Sequence, residues 1–135
     1  MNAFCLQTSK LSLKDTSMHF LVVDDSSTMR RILCNTINSI GYTTTAAEDG
    51  IDALEKAKDQ KFDVIMTDWN MPRMDGLHLV RALRAMEEYK KTPIIMVTTE
   101  GGKQEVLTAI KEGVNNYIVK PFTAFVLREK LKDIV

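Results

Sequence analysis

The stretch HFLVVDDSSTMRRIL, residues 19–33, decides the fold. His19 to Val23 form a short, Val-rich apolar run, and Asp24 and Asp25 follow it at once. Ser26 and Ser27 then offer hydroxyl caps to a segment in which Met29, Ile32, Leu33, Ile37 and Ile40 recur at helical spacing until Gly41 ends it. A nearly all-apolar strand feeding a capped amphipathic helix is the building unit of a parallel sheet covered on both faces. Outward from this stretch the unit repeats. Tyr42 to Ala46, Phe62 to Thr67, Ile94 to Thr98 and Asn115 to Val119 read as further strands. Between them lie a weak helix near Gly50 to Gln60, held by Ile51, Ala53, Leu54 and Ala57, and a firmer one carrying Leu77, Val80 and Leu83. Val106, Leu107 and Ile110 are expected to form the buried stripe of the next helix, closed by Gly113. Phe125 with Val126 and Leu131 with Ile134 are expected to do so in the last. Residues 19–135 therefore read as one α/β domain, and the polar, aperiodic residues 1–18 as a poorly ordered N-terminal extension outside it.

Composition narrows the chemistry. With 44% of 135 residues hydrophobic, the chain can enclose one core, so a single domain carries the function. Lys plus Arg and Asp plus Glu both number 18, and this balance predicts no attraction to nucleic acid or to anionic membranes. Cys5 and Cys34 are too few and too far apart for a disulfide framework or a metal knuckle. No apolar stretch has the length of a signal or a membrane span, so the expected location is the cytoplasm.

In a parallel α/β sheet, ligands gather beyond the carboxyl ends of the strands. The residues there form a coherent set: Asp24 and Asp25 after the first strand, Asp68 after the third, Thr98 at the end of the fourth, and Lys120 after the fifth. Taken singly, each has an ordinary reading: a solvated helix cap, a β-branched strand residue, a surface lysine. A loop account gives no reason for all of them to share one edge. Three crowded carboxylates repel one another unless positive charge lies among them, and a hard divalent cation with one lysine answers that need. Asp25 and Asp68 suit direct ligation of Mg²⁺, and Asp24 ligation through water. Asp68, the central acid, can act as a nucleophile toward phosphorus, with Lys120 and Thr98 meeting the phosphoryl oxygens.

At these residues the sequence resembles the bacterial response regulator receiver family, and within it the stand-alone chemotaxis regulators. The stretches FLVVDDSSTMRRI (20–32), TDWNMPRMDG (67–76), MVTTE (96–100) and NYIVKPF (116–122) carry the resemblance. It implies a flavodoxin-like three-layer sandwich with five parallel strands in order 2-1-3-4-5 and five helices. It also implies Asp68 as phosphoacceptor, a Mg²⁺ site from Asp24, Asp25, Asp68 and the Asn70 backbone carbonyl (Mn²⁺ able to substitute), and phosphoryl contacts from Thr98 and Lys120. Tyr117 matches the aromatic that changes rotamer with Thr98 on activation, Asn70 and Glu100 match positions that modulate phosphoryl lifetime, and Lys120-Pro121 matches a cis bond. The expected partners are a chemotaxis histidine kinase, the flagellar motor switch protein and a phosphatase, read by a monomeric switch rather than an enzyme in the usual sense. The output surface implied is the fourth helix, fifth strand and fifth helix, about residues 103 to 134.

A phosphorelay intermediate, or a receiver of another two-component pathway, uses the same residues and stands as the alternative. No further domain follows the fifth helix in this sequence, so output through protein contact is expected. An aspartate-nucleophile phosphatase would want a second acid two residues on, where Asn70 stands, and GGK at residues 101–103 lacks the spacing of a phosphate-binding loop.

Overall fold

The computed structural model describes residues 18–134; the proposed extension at residues 1–18, with Cys5, lies almost wholly outside them. The elements in chain order are β1 His19–Val23, α1 Ser27–Ser39, β2 Thr43–Ala47, α2 Gly50–Asp59, β3 Val64–Thr67, α3 Gly76–Arg84, a short 3₁₀ turn Glu87–Tyr89, β4 Ile94–Thr98, α4 Lys103–Glu112, β5 Asn116–Val119 and α5 Ala124–Lys132. All strand pairs are parallel, and the order is β2-β1-β3-β4-β5, as the family resemblance implied.

Strand residues alternate between the two faces, so each strand feeds two cores. Leu21, Val23, Ile65 and Met96 pack against Ala53 and Ala57 of α2, Leu79, Val80 and Leu83 of α3, and Ala109 of α4. Phe20, Val22, Val64, Met66, Ile95, Val97 and Ile118 pack on the other side against Leu33 and Ile37 of α1 and Leu127 and Leu131 of α5. Both faces are covered by helices, which explains why the runs read as nearly continuous apolar sequence.

Four helices start on a side-chain cap: Ser26, Asp49, Asp75 and Thr123 accept from Met29, Asp52, His78 and Val126 N–H groups. Each such cap is worth about 1 kcal/mol. Gly41 and Gly113 end α1 and α4 in the left-handed region, φ 107° and 114°, where a side chain would be strained.

Four expectations need correction. β2 begins and ends one residue later than Tyr42 to Ala46, because the pairing starts at His19 with Thr43, although Tyr42 remains buried and stacks on Phe20. In α4 the buried face centres on Ala109, leaving Leu107 48% and Ile110 54% exposed, so the expected stripe is not the core face. In α5 the inward residues are Leu127 and Leu131, whereas Phe125 is 65% exposed and Val126 also faces outward. Ile32 of α1 and Ile40 at its C-terminal cap are likewise exposed. Helical spacing identifies amphipathicity but not the side on which the sheet lies, and each helix here offered two apolar rows.

Candidate functional site

The sheet order reverses between β1 and β3, since the chain leaves β1 toward β2 on one side and returns through β3 on the other. Such a reversal opens a crevice at the carboxyl ends of the strands. The hydrogen-bond ladder continues one residue past each strand and places the functional groups there. Asp24 N–H donates to the Ala47 carbonyl (3.1 Å), Asp68 N–H to Val23 (3.0 Å), and Lys120 N–H to Thr98 (2.8 Å). Backbone pairing, rather than loop chance, sets their register.

Asp24, Asp25 and Asp68 each present a carboxylate oxygen within 4.8 Å of the others. Asp24 is 1% exposed and Asp68 is buried, while Asp25 stands at the solvent edge. Lys120 spans the cluster, its Nζ 2.8 Å from Asp24 Oδ2 and 2.9 Å from Asp68 Oδ2, with its side chain only 12% exposed. Burial by itself would lower the Lys120 pKa; its bonds to Asp24 and Asp68 outweigh that and hold the ammonium above the ordinary lysine value. The remaining oxygens are oriented by backbone donors: Asp24 Oδ1 accepts from Ser26 N–H (2.9 Å) and Asp68 Oδ1 from Trp69 N–H (2.6 Å).

One ammonium among three carboxylates leaves excess negative charge in a crevice with only oxygen donors. That is a donor set for a hard divalent cation such as Mg²⁺, and the residues present fit one.

Glu100 joins the other expected residues. Its carboxylate accepts from the Asn70 side-chain amide (2.9 Å), its N–H donates to Thr98 Oγ1 (3.3 Å), and its carbonyl accepts from the Tyr117 hydroxyl. Thr98 is fully buried at the end of β4, and Tyr117 is half-buried against the core. Burial, helped by Glu100, Glu105 and Asp68, pushes the Tyr117 phenol up to about 12, so it is a neutral donor at physiological pH. The Lys120–Pro121 peptide is cis.

Three contacts in and around the site were not legible in the sequence. The Arg30 guanidinium donates to the Asp24 carbonyl (2.7 Å), the Trp69 amide holds Asp68, and Arg73 forks onto the buried carboxylate of Asp49. Backbone donors leave no trace in residue type, and the Arg73–Asp49 pair spans 24 positions with no periodic signal.

Comparison with known proteins agrees with this geometry. The model of the response regulator receiver domain matches residues 20–132. The chain is 58% identical over 120 residues to a chemotaxis protein CheY homolog of Campylobacter jejuni, covering 87% of this chain and 92% of the relative. The structure of chemotaxis response regulator CheY4 of Vibrio cholerae superposes with a TM-score of 0.84 at 38% identity, covering 88% of this chain and 99% of that one. The receiver domain of a sensor histidine kinase from Pseudomonas aeruginosa, solved with a magnesium ion coordinated in its active site cleft, superposes with a TM-score of 0.80 at 30% identity, covering 87% and 97%. Among the described residues no helix is long and apolar enough to cross a membrane.

Proposed function

The chain belongs to the response regulator receiver family, and from that premise we propose that it is a chemotaxis switch that takes a phosphoryl group onto Asp68 and then binds the flagellar motor switch. The observation that carries the reading is the Lys120 ammonium held between Asp24 and Asp68 inside a cluster of three carboxylates at the rim of the sheet. Asp24, Asp25, Asp68 and the Asn70 carbonyl would hold the divalent cation. When bound, that cation offsets the charge of the incoming phosphoryl oxygens.

The protein's own residues then do the following. A carboxylate oxygen of Asp68 forms a bond to phosphorus while the bond from phosphorus to the donor histidine nitrogen breaks, the electron pair leaving with the imidazole. Trp69 N–H keeps the carboxylate oriented for that attack, and the compact Lys120 ammonium receives one of the phosphoryl oxygens. The Thr98 hydroxyl supplies a donor to another.

Signal leaves through Glu100. A Thr98 hydroxyl drawn toward the phosphoryl group gives up its acceptor role to Glu100 N–H, and Tyr117 holds the carbonyl of that same residue. Phosphorylation thereby biases which packing of the segment after β4 is preferred. Tyr117 also lines a groove of about 350 Å³ with Val119, Phe122 and Val126, and Leu107 and Ile110 of α4 and Phe125 of α5 are exposed. Exposed apolar side chains of this kind are what a partner helix buries.

Acetyl phosphate with Mg²⁺ is expected to label the wild type, and Asp68→Asn to abolish the hydroxylamine-sensitive label. Label surviving in that variant would sink the assignment. A peptide from a flagellar motor switch protein is expected to bind more tightly after phosphorylation; equal affinity in both states would favour the phosphorelay alternative.

A further inference from the structure

Outside the acidic crevice, the most unusual charged group is Asp49. It is 2% exposed, caps α2 by accepting from Asp52 N–H (2.9 Å), and accepts a fork from Arg73 through Nε (2.6 Å) and Nη2 (3.0 Å). Nothing in the proposed phosphoryl chemistry uses this pair. Arg73 lies in the loop after β3 with φ 67°, the left-handed region that a residue with a Cβ enters only at a cost. A strained arginine bound in bidentate fashion to a buried acid marks a loop whose path is over-determined by its contacts.

That loop, residues 69–75, carries Asn70, whose carbonyl completes the proposed cation site. It is fastened beside the ion pair by Gly50 N–H donating to the Met74 carbonyl (3.1 Å). The anchor itself is firm. Asp49 follows β2 by two residues, and the last residue of β2, Ala47, accepts the N–H of Asp24. A continuous path of bonds therefore runs from the far side of the loop, through the end of β2, to one of the acids of the site.

We propose that Arg73 and Asp49 form a latch that positions the 69–75 loop, and with it the Asn70 carbonyl, for the divalent cation. Both are positioning residues. The inference rests on the metal reading of the acidic crevice, and the test separates the two.

Trp69, the first residue of the loop and partly packed on the core, serves as the fluorescent reporter of a Mg²⁺ titration. Variants that loosen the latch, Arg73→Ala and Asp49→Asn, are each expected to weaken Mg²⁺ affinity roughly 3- to 10-fold while circular dichroism shows a folded protein. Asp49→Asn keeps an oxygen for the α2 cap, so it carries the test if Arg73→Ala does not fold. The double variant is expected to be no weaker than the worse single variant, and Arg73→Lys, with one ammonium in place of the two-nitrogen fork, to fall between. A pair that merely stabilises the fold would leave the affinity of the folded protein unmoved. Affinities within about twofold of wild type in both single variants, or losses that multiply in the double variant, would overturn the latch. A wild type with no Mg²⁺ response would overturn the metal reading and the latch together.

Discussion

Asp25→Asn tests the electrostatic core of the site, because it removes charge from the crevice while changing almost no volume. The Asp25 carboxylate lies within 4.8 Å of both Asp24 and Asp68. At 4.8 Å and an effective dielectric of about 20, each repulsion amounts to about 3.5 kcal/mol before screening. Asp25 is exposed, so water screens much of this, and the variant also gives up attraction to the Lys120 ammonium. The net expectation is a gain of about 1 kcal/mol in metal-free stability, the scale of exposed charge pairs. For a domain of this size that is a rise in Tm of about 4 °C. In excess Mg²⁺ the ranking should change, because the wild type gains stability by mass action and the variant, lacking one carboxylate, loses most of that increment. Thermal melts of both proteins in chelator and in MgCl₂ give all four values. A variant less stable than wild type in chelator, or one that retains the full Mg²⁺ increment, would refute the reasoning.

Lys120→Arg should still be phosphorylated yet bind the motor-switch peptide poorly, because a planar fork cannot replace a compact ammonium; unchanged peptide affinity in the phosphorylated variant would count against that role. Leu107→Ser and Ile110→Ser should alter stability by no more than about 0.5 kcal/mol, as both side chains are half exposed, yet weaken the peptide. Urea midpoints well below wild type would show instead that these residues are core. The Arg73 guanidinium holds the Asp49 carboxyl below its ordinary value of 3.8, so the pair's contribution is complete above that pH and fades as the pH falls through the lower folded value. Asp49→Asn should therefore be less stable than wild type at neutral pH, with the deficit narrowing in acid below about pH 4. Urea denaturation at several pH values checks this, and a constant deficit would contradict it.

Which polar residues share the crevice was readable because strand ends are readable. Four of the five apolar runs end in, or lead directly into, a polar residue, and these place Asp24, Asp25, Asp68, Thr98 and Lys120 on a common edge once the strands are parallel. The four quoted stretches carried the rest through resemblance, including the strand order and the cis bond at Pro121. Helix facing was less readable. Leu107, Ile110, Phe125 and Val126 satisfy helical spacing as well as a core row does, and hydropathy cannot distinguish a face buried in this chain from one kept free for a partner.

By itself, the sequence determined the kind of fold and the inventory of polar groups at the strand ends, since both follow from local period and residue type. Only the tertiary structure decided how those groups are held: the Lys120 bridge between acids 96 and 52 positions away, the three bonds of Glu100, and the Arg73 fork onto Asp49. The physical reason is that a carboxylate or a guanidinium is ambiguous until it is known what has been taken out of water beside it, and long-range packing alone sets that.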